Sequence, residues 1–183
     1  MGYKGNWWKL DSGATSPFVR QVAYDWVNEI DARLAIERLD IPAVKPRQSA
    51  EQLHTNLEHL AAWTESTVRT SIEFGREMTE GLGPNKLAAV DLYDYAGLSM
   101  QRYVYGNFAL KEQEVLILEA NVPQPPCRYW SIHLADDHAF TLDFVNRQTS
   151  INGHTAYVDE EQVFRAVISV NDPGVPNWLD TAG

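Results

Sequence analysis

R-Y-W-S-I-H-L-A-D-D-H-A-F-T-L-D-F-V-N-R-Q-T-S-I-N-G-H, residues 128–154, decides how the chain reads. Tyr129–Leu134 has the composition and period of a short strand with one wet face. Asp136-Asp137 interrupts it with a turn, and Thr141–Phe144 resumes it. Asn152-Gly153 closes the stretch as a tight turn suited to positive φ, displaying His154 on the next strand. Outward on both sides the signature recurs. Lys86 begins a series of runs rich in Val, Ile, Tyr and Phe: Ala88–Tyr93, Arg102–Phe108, Glu114–Ala120 and Val163–Val170. Gly106-Asn107, Pro123–Pro126 and Asp172-Pro173-Gly174 punctuate them, and spacing this short implies antiparallel neighbours.

Upstream the period becomes helical. Ser16-Pro17 is a cap followed by proline at the first helical position, and Phe18, Val22, Trp26, Ile30 and Leu34 recur at helical spacing. This predicts a helix ending near Leu39 or Asp40, before Pro42 and Pro46. Ser49-Ala50-Glu51-Gln52 has the form of a capping box. Leu53, Leu57, Leu60, Thr64, Val68, Ile72 and Gly75 continue one face until Gly81 and Gly83 supply a stop. That helix is longer than a small core requires, so it is expected either to break or to extend into a subunit interface. The fold expectation is α+β: a helical segment over 1–85 with two long helices, packed on a C-terminal antiparallel β-sheet or β-sandwich over 86–183, as one cooperative unit. The adjacent Trp7 and Trp8 cannot both face inward on a strand, which leaves one for solvent, a ligand or a partner.

Composition excludes several functions. A net charge of −10 lacks the clustered Lys and Arg that hold nucleic acid, and it does nothing to draw the chain to an anionic membrane. Apolar runs stay well short of the roughly 20 residues of a membrane span. Cys127 is the only cysteine, so no internal disulfide forms, and a cytoplasmic location is expected.

No phosphate loop, dinucleotide fingerprint, nucleophile elbow or paired C-x-x-C occurs. The candidates are the groups crowded after residue 127. His133, Asp137, Arg147 and Asp180 offer acid–base chemistry and an anion clamp, because imidazole and carboxylate exchange protons and a guanidinium grips a carboxylate with two parallel bonds. Trp130, Phe140, Phe144, Asn177 and Trp178 are candidate ligand contacts. His133, Asp137 and His138 form a candidate set for a divalent metal. Each has a structural alternative: a solvated turn at Asp136-Asp137, an Arg147–Asp143 bridge, or a lid at Asn177–Asp180. Eight Asp and Glu against three Arg after residue 127 favour a cationic, sugar-like or neutral ligand. Two functional readings are open. One is a small-molecule enzyme with an aromatic pocket between helices and sheet; the other is a non-catalytic ligand-binding or oligomeric assembly module, a homo-oligomer in either case.

The R-Y-W-S-I-H-L-A-D run, the L-D-F-V-N-R-Q-T-S-I-N segment and above all D-P-G-V-P-N-W-L-D-T-A-G at 172–183 resemble the bacterial domain-of-unknown-function family 1214. The resemblance covers about Lys86–Gly183. It implies a largely antiparallel β-sandwich core and oligomers in some members, and it assigns no reaction and no catalytic position. The family's usual companion domain has no counterpart here, and similar sequences are expected to continue past Gly183, a pattern consistent with a fragment of a longer chain.

Overall fold

The computed structural model describes residues 4–14, 16–40, 44, 47–92, 101–111, 113–122 and 127–183. Pro42, Pro46, Tyr93 and Pro123–Pro126 lie outside these residues. The chain forms two compact units, 1–37 and 38–183, and the long helix that begins at Ala50 falls in the second together with the strands.

In the first unit the helix expected from Ser16 does not form. Its backbone groups are taken by side chains instead. Gln21 bonds both the N–H and the carbonyl of Ala32. Glu29 accepts from the N–H of Tyr24 and Asp25, and Asp25 from those of Val27 and Asn28. Phe18, Val22, Trp26 and Ile30 stay exposed, so the apolar stripe gains no burial, and a helix in water needs that burial more than it needs propensity.

The second unit opens on helix α1, Ala50–Glu77. Its start is the expected capping box: the Ser49 hydroxyl accepts from the Gln52 N–H at 3.1 Å, and the Gln52 side chain accepts from the Ser49 N–H at 2.9 Å. It runs unbroken for 28 residues into a wider π-helical turn, Met78–Leu82, and stops at Gly83 with φ 75°, a conformation that favours glycine.

Among the described residues seven strands come next: β1 Lys86–Val90, β2 Tyr103–Asn107, β3 Leu116–Asn121, β4 Ser131–His133, β5 Ser150–Asn152, β6 Val163–Ser169 and β7 Trp178–Asp180. They make three small sheets, β1–β2, β3–β6–β7 and β4–β5, so the α+β class holds while the continuous sandwich gives way to separate ribbons. β3 pairs antiparallel with β6, matching Glu119 to Arg165. β7 runs parallel to β6, against the antiparallel expectation. Thr141–Phe144 is not a strand. Asp143 accepts from the N–H groups of Val145 and Asn146 and turns the chain there, leaving an Ala135–Thr141 bridge. The turn after β5 is built on the Asn152 side chain, whose oxygen accepts from the N–H groups of His154 and Thr155.

Leu134, Ile151, Phe164, Ala166, Ile168 and Leu179 form the buried core, with Trp130, Ile132, Leu142, Leu116 and Leu118 packed around it. Alternation along β6 puts Phe164, Ala166 and Ile168 on one buried face. Among the described residues, helix α1 meets the β-rich body at its last turns. Phe74 packs edge-to-face on Tyr105 of β2 at 5.1 Å, and Gly75 lies so close to the Asp137 carbonyl that a Cβ would run into it. The expectation of helices laid across a sheet is thereby corrected: one helix docks, by one end. Gly75→Ala is expected to cost about 1–3 kcal/mol, as overpacking usually does, read as a lower urea midpoint at unchanged slope.

Candidate functional site

The turn after β4 is built by Asp136. Its carboxylate accepts from the N–H of His138 at 3.0 Å and of Phe140 at 2.9 Å, while its carbonyl accepts from Ala139, which sits at φ 64°. Asp137 pairs with the His138 ring at 2.7 Å. Asp136, Asp137 and His138 bring ligand atoms within 4.8 Å of one another, all exposed. The candidate metal set of the sequence is thus altered: Asp136 takes the place of His133. His133 is paired within β4, its Nε2 2.9 Å from the Ser131 hydroxyl. Burial of its surroundings pushes the imidazole below its ordinary value of 6.5.

Arg147 and Asp180 come together from 33 residues apart, Nη1 to Oδ2 at 2.9 Å. Asp180 is buried, its second oxygen accepts from the Ala182 N–H at 2.8 Å, and its own N–H donates to the Gln148 carbonyl at 2.8 Å. The Asp143–Arg147 bridge open to the sequence does not form as an ion pair. Asp143 binds the Asn146 amide, and the Arg147 side chain reaches the end of β7. The Asp143 carboxyl lies below its usual range, held there first by the Asn146 side chain. Chemically, Asp180 is neutralised by a guanidinium, and Arg147 stays half exposed with donors left over.

The aromatic candidates do not share one wall. Trp130 packs edge-to-face on Phe164 at 5.1 Å as part of the core, whereas Phe140 and Phe144 are exposed. Trp178 donates its indole N–H to the Ser169 carbonyl. Asn177, at φ 60°, bonds the N–H and carbonyl of Tyr157 and the carbonyl of Arg165, which makes it the clamp that turns the chain back along β6.

One cluster escaped the sequence reading. Arg165 donates to Glu119 at 2.6 Å and to Asp159, whose carboxyl is lowered first by the Val163 N–H. Only the β3–β6 register places Glu119 opposite Arg165, and no local motif announces that pairing.

Comparison with known proteins adds the fold and no more. No family model matches the chain, and no curated protein matches it. It is similar to the crystal structure of an uncharacterized protein from Burkholderia cenocepacia, with a TM-score of 0.78 and 24% identity over 87% of this chain. The chain spans 44% of that protein, less than half its length. An α+β fold is therefore the class that the structure and this likeness establish. No helix among the described residues is long and apolar enough to cross a membrane.

Arg147→Ala leaves Asp180 buried without its cation. The expected loss is about 1–3 kcal/mol, and the Arg147→Ala/Asp180→Asn double variant should recover part of it, which a double-mutant cycle in urea measures. For His133 the folded value lies below the unfolded one, so the unfolded chain binds the extra proton. Stability should therefore fall as pH drops through 6.5 toward the folded value, and His133→Gln should flatten that limb.

Proposed function

We propose that this chain is a non-catalytic assembly module, docking other protein surface through α1. The observation that carries this reading is the state of the helix face. Leu53, Leu57, Leu60, Trp63 and Val68 are each between 51% and 65% exposed, though all lie on a well-capped helix anchored at its far end. An apolar strip of this length on an exposed surface marks an interaction site. The polar groups that an enzyme reading would employ are engaged in holding the fold: Asp180 by Arg147, Asn177 by three backbone groups, Asp136 by its own turn. We also propose that the β-rich part belongs with the unknown-function family 1214, on the strength of the 172–183 segment; that placement assigns no reaction. Its small-molecule ligand, if one is retained, would sit beside the half-exposed Arg147.

Because α1 adds little to the isolated fold along this face, Leu57→Glu/Leu60→Glu should leave Tm within about 2 °C of the parent, as exposed positions do. A large fall in Tm would place the face inside the fold and overturn the docking reading.

A further inference from the structure

Asn152-Gly153 is the one Asn-Gly step in the chain. Such a step is chemically weak, because glycine leaves its own nitrogen uncrowded beside the asparagine side chain. That nitrogen can attack the Asn152 Cγ, forming a C–N bond and expelling the side-chain nitrogen as ammonia, which carries away the Gly153 amide proton. Water then opens the cyclic imide at either carbonyl. The product is aspartate or, with the main chain rerouted through the side chain, isoaspartate.

The structure holds both reacting groups off this path. The Gly153 N–H is committed to the Trp130 carbonyl at 3.1 Å, just past the last pair of the β4–β5 ladder, Ser131 with Asn152. The Asn152 Oδ1 accepts from the N–H of His154 at 2.9 Å and of Thr155 at 3.1 Å, which fixes the side-chain carbonyl over its own turn. The Asn152 main chain closes the same turn: its N–H donates to the Thr155 hydroxyl at 3.1 Å, and its carbonyl accepts from Thr155 and Ala156. Asn152 is only 6% exposed, so the water that opens the imide is kept out as well. Swinging the amide onto the Gly153 nitrogen breaks these bonds together, and that requires the turn to open.

We propose that Asn152 is a deamidation site kept latent by the fold, converted only in molecules whose β4–β5 turn has opened, and that its isoaspartate product bars the turn from closing again. The two products differ in this respect. Aspartate keeps an oxygen where His154 and Thr155 donate. Isoaspartate lengthens the main chain by one carbon ahead of Gly153 and takes that N–H away from Trp130. Because Ile151 of β5 belongs to the buried core, the damage reaches the packing and not the turn alone.

The test incubates the full chain at mildly alkaline pH, in buffer and in guanidinium chloride, and follows conversion at residue 152 by peptide mass mapping. Conversion in buffer should be slower by about tenfold or more, since it waits on opening of the turn. Thr155→Ala removes the hydroxyl that receives the Asn152 N–H. It should raise the rate in buffer about fivefold, as loss of one hydrogen bond from the closed turn implies, and leave the rate in guanidinium unchanged. Thr155→Ser should keep the parent's rate in both. Equal rates in buffer and denaturant overturn the protection, and an unmoved rate in Thr155→Ala overturns its assignment to this turn. The separated isoaspartate form should melt below the parent; melting together with it overturns the block on reclosure.

Discussion

Phe164, Ala166 and Ile168 lie almost fully inside, and their burial between β3 and β7 is the constraint on which the second unit depends. With three alternate residues of β6 turned inward, the register of both neighbours is fixed, because a slip of one residue would turn the buried set to solvent. That register then distributes the polar groups. Arg165, between two buried residues, must face out and meets Glu119 across the ladder. Asp180, one residue after the buried Leu179, falls where Arg147 can neutralise it. Two ion pairs are thus consequences of one apolar packing problem. The exposed pair is worth little, and the buried one matters chiefly through the unpaired charge its removal would leave.

Local features were the legible ones in the sequence. The capping box at Ser49–Gln52 needs only residues three apart, and the Asp172-Pro173-Gly174 turn, with the Gly174 N–H donating to the Asp172 carboxylate, needs only two. Most strands of the β-rich part were legible for the same reason, since alternation is written within each run. The failures share the opposite cause. The helix expected over 16–39 has every local signal, yet its stripe stays exposed, and side chains such as Gln21 and Asp25 satisfy the backbone in another way. β5 and β7, three residues each, are too short to show a period and exist because a neighbour pairs them. The parallel course of β7 depends on Asn177 at positive φ clamping Tyr157 and Arg165, a contact that spans up to 20 residues.

Candidate chemistry was legible as residue types and illegible as a constellation. Grouping His133, Asp137 and His138 assumes a turn that folds back on its strand. Asp136 instead commits its carboxylate to the backbone of its own turn, and the turn is pressed against Gly75 of α1. The aromatic residues divide according to their place in the alternation: Trp130 packs edge-to-face on Phe164 inside, while Phe140 comes after the turn and stays outside. Arg147 stands out in the sequence for its planar fork, but its partner lies at the end of β7, beyond the reach of any spacing argument.

The length of α1 is a separate physical question, since an isolated helix is marginal in water and this one buries only Phe74. Its support comes from the two ends and from the charged back. Ser49 and Gln52 satisfy the first orphan N–H groups, and the last turns are held by Tyr105 and the 136–138 turn. In between, the Glu65–Arg69 pair adds only a few tenths of a kcal/mol, roughly, and the Thr64 hydroxyl bonded back to the Leu60 carbonyl adds no stability. Among the described residues, the apolar face of this helix ahead of Phe74 stays largely exposed. Leu53, Leu57, Leu60 and Val68 form one strip there, more than half exposed, with the Glu65–Arg69 and His54–Glu58 pairs turned to the other side.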